Sequence, residues 1–143
     1  DAPRLAAGAD GSLHLVYAQG GAVRHTRAAP GAGFGPVRTL SSQGAAYPML
    51  AGDGRGTLVA AWESMDASGR PQALGFAVSR NNGEHFSAPR TVPGSAAPPG
   101  GSNGSQQGLL GAKLAVSRDG RIALVNSSLV PGQRSRVWLM RTR

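Results

Sequence analysis

The sequence predicts an all-β domain made of three repeated units of four antiparallel strands. Three observations support this fold class. The 143 residues include 22 glycines and 10 prolines, which divide the chain into the short segments typical of β proteins with many turns. An Asp-Gly pair between two apolar runs occurs three times. These pairs recur at a spacing that indicates internal repetition.

Each unit begins with an apolar strand, an Asp-Gly turn and a second apolar strand. Asp-Gly between two such runs predicts a hairpin in which both turn residues take positive φ. Third and fourth strands follow in the first and second units, whereas the third unit ends after its third strand. The repeated hairpins lie at residues 3–17, 48–62 and 112–126.

Four-stranded units that repeat at this spacing are typical of β-propeller blades. The sequence therefore predicts one propeller-type domain over residues 1–143. Its predicted parts are blade 1 (1–44), blade 2 (45–92), a polar loop (93–108) and blade 3 (109–143). The polar loop has no charged and no large apolar residue, so we expect a mobile loop or a linker there.

Three blades do not close a ring, because propellers have four blades or more. An open array exposes apolar surface that proteins normally bury. We expect a second copy of the chain to complete a six-bladed homodimer, since two-fold dimers are the commonest assemblies. The alternatives are that the chain is a fragment of a larger propeller or that another protein completes the ring.

Residues 79–86 read Ser-Arg-Asn-Asn-Gly-Glu-His-Phe. This segment resembles the Asp-box of bacterial neuraminidase (BNR) repeats, whose pattern is Ser-x-Asp-x-Gly-x-Thr-Trp. Ser79, Gly83 and Phe86 match, while Asn81 replaces Asp and His85 replaces Thr. The resemblance implies a sialidase-like β-propeller in which the box is structural: Asn81 would bind amides of its own turn, and Phe86 would fill a gap between layers.

In sialidase-like propellers the ligand site lies on the face opposite the Asp-boxes, and the resemblance implies the same here. The loop after the second strand of blade 2 and the polar loop would form that face. We expect aromatic stacking, acceptance of hydroxyl hydrogen bonds, contact with anionic groups and amide contacts from these side chains. They are Tyr47 and Trp62, Glu63 and Asp66, Arg70, and Gln106 and Gln107.

Catalytic sialidases carry an Arg-Ile-Pro motif, and the nearest match here is Ala46-Tyr47-Pro48. Ala46 occupies the position of the arginine that clamps the substrate carboxylate, and the equivalent positions in the other units are Asp1 and Leu110. No Tyr–Glu pair is placed by a motif either. We therefore predict a non-catalytic module that binds a glycan or another polar ligand. The alternative is an exo-glycosidase whose site, with Glu63 and Asp66 as a carboxylate pair, is completed across chains.

A further alternative is a periplasmic copper-binding protein, because Met and His are ligands of copper. The candidate ligands are Met49, Met65 and His25, but they lack the spacing of a metal motif, and we expect no cofactor. No sequence fingerprint of a nucleotide-binding loop or a Ser-His-Asp triad is present.

The composition of the chain narrows the remaining classes of function. The chain has no cysteine, a net charge of +8, and arginine in place of lysine everywhere except Lys113. The arginines are scattered singly without interleaved aromatics, so nucleic-acid binding is not expected. No apolar stretch is long enough to predict a membrane span. The start at Asp-Ala-Pro without Met fits a secreted or periplasmic protein after signal cleavage, which is our expectation, and a shortened chain fits it as well.

Overall fold

A computed structural model describes residues 3–104 and 113–142. These residues form an all-β structure without any helix, so the described chain has no helix that could cross a membrane. The strands assemble into three four-stranded antiparallel sheets, in agreement with the predicted fold class. Gln106, Gln107, Leu110 and Asp1 lie outside the described residues.

The first two sheets correspond to the first two predicted blades, and each strand pairs with the next along the chain. We keep the names blade 1 and blade 2 for them. Blade 1 contains β1 (Arg4–Ala7), β2 (Leu13–Gln19), β3 (Ala22–Ala28) and β4 (Arg38–Ser41). Blade 2 contains β5 (Ala45–Gly52), β6 (Leu58–Met65), β7 (Pro71–Ser79) and β8 (Arg90–Thr91).

The third sheet, blade 3, is built differently. It contains β9 (Ser102–Asn103), β10 (Leu114–Val116), β11 (Ile122–Leu129) and β12 (Arg136–Arg141). Both β9 and β10 pair with the edge of β11 that faces away from β12. The polar loop therefore contributes a strand to the inner edge of the sheet. On the outer edge, no strand among the described residues pairs with β12.

The Asp-Gly turns correct one expectation. Gly11, Gly54 and Gly120 have φ of 78°, 72° and 78°, but the aspartates before them are not among the described residues with positive φ. Each of these aspartates instead accepts hydrogen bonds within its turn through the side-chain carboxylate. Asp53 Oδ1, for example, accepts hydrogen bonds from the backbone N–H groups of Arg55 and Thr57 at 2.7 and 2.9 Å. Because the carboxylate satisfies the turn amides, only the glycine needs the left-handed conformation.

The core consists of two apolar layers between successive blades. One layer joins blades 1 and 2 and includes Val16, Val23 and Trp62; the other joins blades 2 and 3 and includes Leu74 and Leu124. Blade 2 lies between the two layers, so both faces of β6 are buried and its apolar residues run without alternation.

The turn at residues 79–86 is held by its own side chains. Gly83 N–H donates to Ser79 Oγ at 2.9 Å, and His85 N–H donates to Asn81 Oδ1 at 3.0 Å. Gly83 has φ of 72°, a conformation that glycine adopts at low cost. Phe86 packs against the layer between blades 1 and 2. The turn thus ties blade 2 to blade 1.

Candidate functional site

A buried ion pair joins blade 2 to blade 3. Lys113 Nζ lies 2.6 Å from Glu63 Oε1, and the Glu63 residue is only 1% exposed. Glu63 lies near the end of β6, and Lys113 immediately precedes β10. A carboxylate leaves water at this depth only when a cation and hydrogen bonds compensate for its lost hydration. The contact between blades 2 and 3 therefore depends on Lys113 to compensate the buried Glu63 carboxylate.

Asn126 on β11 extends the pair into a polar cluster. The same Lys113 Nζ donates to Asn126 Oδ1 at 3.0 Å, so one ammonium group bridges the carboxylate and the amide. The other atoms of these two groups, Glu63 Oε2 and Asn126 Nδ2, are buried and have no hydrogen-bond partner among the described residues. One of them is an acceptor and the other a donor. Hydroxyl groups, which both donate and accept hydrogen bonds, could satisfy either atom.

Burial raises the pKa of Glu63 above its ordinary value, and the hydrogen bond and charge of Lys113 oppose this rise. Desolvation disfavours the charged carboxylate, whereas the neighbouring ammonium favours it. The balance leaves a carboxyl group that takes up a proton more readily than an exposed glutamate does. Such groups occur at functional sites more often than elsewhere.

Strained backbone lies next to this cluster. Ala46 is directly opposite Glu63 in the β5–β6 register, and a bulge follows it. Tyr47, within that bulge, has φ of 51°, which is uncommon for a bulky residue. Residues opposite each other on antiparallel strands share a face. An arginine at position 46 would therefore neighbour Glu63, and Lys113 from blade 3 supplies the cation in this chain.

Residues of the polar loop close the cluster on one side. Gly104 has φ of 63°, and a Cβ atom at this position would lie 2.5 Å from Glu63 Oε1. Its N–H donates to Ser127 O at 2.6 Å. Asn103, which is buried, donates to Gln72 O and Ser95 O and accepts from the Ser128 hydroxyl. The first part of the polar loop is thus fixed against blades 2 and 3.

Asp66 and Arg70, expected to bind a ligand, are engaged with their own turn. Asp66 Oδ1 accepts from the backbone N–H groups of Ser68 and Arg70 at 2.8 and 3.0 Å, and Arg70 Nε lies 3.4 Å from Asp66 Oδ2. The hydrogen bond from the Ser68 hydroxyl, followed by that from the Arg70 amide, lowers the pKa of Asp66 to about 2. Arg70 remains largely exposed, so its guanidinium can still contact an anionic group.

The other predicted ligand residues are dispersed. Trp62 is 2% exposed and belongs to the layer between blades 1 and 2, so it offers no stacking surface to a ligand. A continuous apolar run gives no signal of which face an aromatic occupies. Tyr47 is half-buried and follows Ala46, the residue opposite Glu63. Gln106 and Gln107 cannot be placed, since they lie outside the described residues.

The candidate copper ligands lie in different surroundings. Met49 is buried in the layer between blades 2 and 3, and Met65 is half-buried at the end of β6. His25 forms part of a buried chain in which Ser12 Oγ lies 2.8 Å from His14 Nε2, and His14 Nδ1 lies 3.1 Å from His25 Nε2. The described residues contain no group of three His, Cys, Asp or Glu side chains suited to a metal ion.

Two residues of the polar cluster, Lys113 and Asn126, are missing from the sequence-based candidates. Lys113 does carry a signal, because it is the single lysine of a chain that otherwise uses arginine. Lysine places a compact point charge where the broad planar guanidinium fits less well. The position of Asn126 in an apolar strand, where a polar residue needs a partner, is a second signal.

Comparison with known proteins supports the fold. No known family profile matches the chain, and no curated protein matches it. Among solved structures, the Hadza microbial sialidase Hz136 is similar, with a TM-score of 0.62 and 15% sequence identity. The similarity covers 99% of this chain but 35% of that sialidase, so the chain spans about a third of the length of this neighbour. At this identity the similarity shows a sialidase-like fold and nothing of activity.

Proposed function

We propose that the chain is a non-catalytic, sialidase-like β-propeller module that binds a glycan through the polar cluster of Glu63, Lys113 and Asn126. One observation carries the proposal: an unpaired acceptor, Glu63 Oε2, and an unpaired donor, Asn126 Nδ2, are buried on two groups that Lys113 bridges. Buried polar groups without partners are rare in proteins, and ordered water or a ligand commonly completes them. A sugar hydroxyl has the required donor and acceptor.

The surroundings support this assignment. The fold similarity is to a sialidase, a protein whose name implies action on a sugar. The strained Tyr47 lies beside the cluster, and unusual backbone conformations concentrate at binding sites. The exposed guanidinium of Arg70, on the loop after β6, adds a contact for an anionic sugar.

Glycan binding can be tested with an array of neutral and acidic sugars. Asn126→Asp keeps the oxygen that accepts from Lys113 and removes the free N–H donor. We expect this variant to lose at least about tenfold in affinity, since leaving a buried group unpaired costs 1–3 kcal/mol. Gln133→Glu is the matched control, because it makes the same amide-to-acid change at an exposed position.

Two results would contradict the proposal: an array on which the unmodified chain binds no sugar, and glycan binding that Asn126→Asp leaves unchanged. In the second case the unpaired atoms would be completed by water alone. Circular dichroism of each variant distinguishes lost binding from lost folding.

A second candidate is an exo-glycosidase, favoured by the raised pKa of Glu63. A carboxyl group that holds its proton is suited to general acid catalysis at a glycosidic bond. Its partner carboxylate would have to come from another chain, since Asp66 is engaged with its own turn. Turnover of a fluorogenic sialoside that Glu63→Gln abolishes would support this candidate, and no turnover at any pH would exclude it.

We further propose that a second copy completes the ring. The outward faces of the two terminal blades expose Leu5 and Leu13 on blade 1 and Val137 and Leu139 on blade 3. A two-fold rotation about the propeller axis would place blade 1 of one copy against blade 3 of the other. Light scattering tests this: the expected mass is twice that of the 14.5 kDa chain, and a monomer at micromolar concentration contradicts it.

A further inference from the structure

We propose that a cleft between blade 1 and the turn at residues 79–86 binds a phosphate group that carries a proton, either inorganic phosphate or a small phosphate monoester. The cleft has a volume of about 320 Å³. It is lined by His25 and Arg27 of β3, Arg38 of β4, the connection between these strands, and Gly83 and Glu84 of the turn. The turn follows the end of β7 that pairs with the start of β6, whereas Glu63 lies near the other end of β6. The cleft is therefore separate from the glycan site.

The strand register of blade 1 places four nitrogen-bearing side chains on one face. His25 and Arg27 are two residues apart on β3, so they share a face of the sheet. Arg38 pairs with His25 across the β3–β4 register, and His14 on β2 pairs with Arg27. Residues opposite each other on antiparallel strands share a face. The register thus brings two guanidinium groups and two imidazole rings together beside the cleft.

The imidazole of His14 connects His25 to a buried serine and an aspartate. Ser12 Oγ donates to Asp10 Oδ1 at 2.5 Å and lies 2.8 Å from His14 Nε2. His14 Nδ1 lies 3.1 Å from His25 Nε2. Hydrogen bonds from the hydroxyl and the backbone N–H of Ser12 lower the pKa of Asp10 to about 2, so this carboxylate is ionised and only accepts. The single hydroxyl proton of Ser12 is therefore committed to Asp10.

This commitment fixes the order of protons along the chain. Because Ser12 Oγ can only accept from His14, the shared proton belongs to His14 Nε2. Burial lowers the pKa of His14, and burial also lowers the pKa of His25 from 6.5 to about 4, so both rings are neutral at pH 7. A neutral ring carries one N–H, so His14 Nδ1 accepts from the Nε2–H group of His25. His25 Nδ1 is then an acceptor with a free lone pair.

Two buried atoms beside the cleft have no hydrogen-bond partner within the described ranges. One is His25 Nδ1, on a residue that is only 2% exposed and yet lines the cleft. The other is Arg27 Nε, which is a donor. Buried polar groups are rarely left unpaired, so this acceptor and this donor indicate a bound ligand.

The other groups of the lining favour an anion that also has a hydroxyl. Arg38 is exposed and uses Nη1 for the backbone carbonyl of Glu84, so the rest of its guanidinium is open to a ligand. Asp10 already pairs with Arg27 Nη2, and the carboxylate of Glu84 is exposed to water. Sulfate and carboxylate groups offer acceptors alone. A protonated phosphate accepts from the arginines and also donates through its P–OH group to His25 Nδ1.

The wall of the cleft is formed before any ligand binds. Gly35 N–H donates to Arg27 O at 2.9 Å, and the Thr26 hydroxyl donates to Gly35 O at 2.8 Å. Phe34 forms an isolated bridge with Ala28. These contacts hold the connection between β3 and β4, so little ordering entropy is lost on binding.

Methyl phosphate and methyl sulfate are the matched probes. At about pH 5.5 both are mostly monoanions, because the second pKa of a phosphate monoester is about 6, and only methyl phosphate carries a hydroxyl. We expect isothermal titration calorimetry to give methyl phosphate an affinity at least about tenfold higher, equal to about 1.4 kcal/mol. Inorganic phosphate distinguishes the two sources: tighter binding than methyl phosphate assigns the cleft to free phosphate, and weaker binding assigns it to a monoester.

A spectroscopic readout and a pair of variants locate the binding. On saturation with methyl phosphate, the ¹⁵N resonance of His25 Nδ1 should move from the position of a free ring nitrogen toward that of a hydrogen-bonded one. Arg38→Gln should lower the affinity for methyl phosphate at least about tenfold, since it removes a charged donor. Arg90→Gln is the matched control and should bind normally, because Arg90 is an exposed arginine at the equivalent position of blade 2.

Four outcomes would overturn the proposal. The first is equal affinity for methyl phosphate and methyl sulfate, and the second is an unchanged His25 Nδ1 resonance at saturation. The third is equal affinity of Arg38→Gln and Arg90→Gln for methyl phosphate. The fourth is no binding of either phosphate probe, which would show that water alone completes the unpaired atoms.

Discussion

Removal of the Lys113 ammonium should destabilise the chain strongly, because it leaves the Glu63 carboxylate buried without a cation. The two groups lie 2.6 Å apart, Glu63 is 1% exposed, and the Lys113 side chain is 14% exposed. Breaking a buried pair by removing one partner typically costs 3–5 kcal/mol. The partial exposure of Lys113 places Lys113→Met near the lower end, at about 3 kcal/mol.

The stability lost in Lys113→Met should depend on pH, and the direction of this dependence follows from the pKa of Glu63. Its pKa in the folded chain is already raised by burial, and removal of Lys113 removes the interaction that opposes the rise. The folded state of Lys113→Met therefore binds a proton that the unfolded state releases at pH values above about 4.5. Its stability is lost as pH rises through that window, so the variant should be less destabilised at pH 5 than at pH 8.

Urea unfolding followed by tryptophan fluorescence measures this effect, since Trp62 is buried in the native state. The double variant Glu63→Gln/Lys113→Met removes both charges and should recover most of the lost stability. A free energy of unfolding for Lys113→Met within about 1 kcal/mol of that of the unmodified chain would refute the reasoning. A double variant no more stable than Lys113→Met would refute it as well.

Three further outcomes are expected. Burial, followed by the charges of His14, Arg38 and Arg27, lowers the pKa of His25 from 6.5 to about 4, so the folded chain binds fewer protons than the unfolded chain between these values. Stability should therefore fall by about 3 kcal/mol as pH drops from 6.5 to 4, at about 1.4 kcal/mol per pKa unit; an NMR titration midpoint of His25 above pH 6 contradicts this. Gly83→Ala should cost over about 2 kcal/mol, because φ is 72° and the new Cβ would meet the His14 ring. Gly31→Ala, with φ of 74° and open space around it, should cost only about 1 kcal/mol in the same unfolding assay, and equal losses would exclude the clash. Asn103→Leu should cost about 2 kcal/mol or more, since the buried Ser95 carbonyl and the part-buried Gln72 carbonyl each lose a donor, and a neutral effect on urea unfolding would show that these bonds add nothing.

The repeats explain why much of the fold was predictable from the sequence. An Asp-Gly turn between apolar runs is local information, and it placed the hairpins of all three blades close to their observed positions. The short β9 was not predictable, because a strand of two residues forms only where β11 provides an edge for it. The φ values of the turn aspartates were also missed, since their side-chain hydrogen bonds are an alternative to the paired left-handed turn.

The candidate site was predicted only in part. Glu63 was selected from its position after an apolar strand, but its partners Lys113 and Asn126 are 50 and 63 residues further along the chain. Trp62 belongs to a residue type that is common at binding sites, and yet it lies in the core. Side-chain direction within a fully buried strand depends on which blades pack on either face, and the local sequence does not contain that information.

The sequence by itself determined the repeating unit, the all-β class and the turn at residues 79–86, because short-range hydrogen bonding and apolar periodicity control these features. Only the tertiary structure decided that Glu63 is a buried, paired carboxyl group and that Trp62 lies in the core between blades 1 and 2. Both depend on which neighbour occupies the space beside a residue. Which neighbour lies there is decided by packing between blades, because that packing brings together residues that are far apart in the chain.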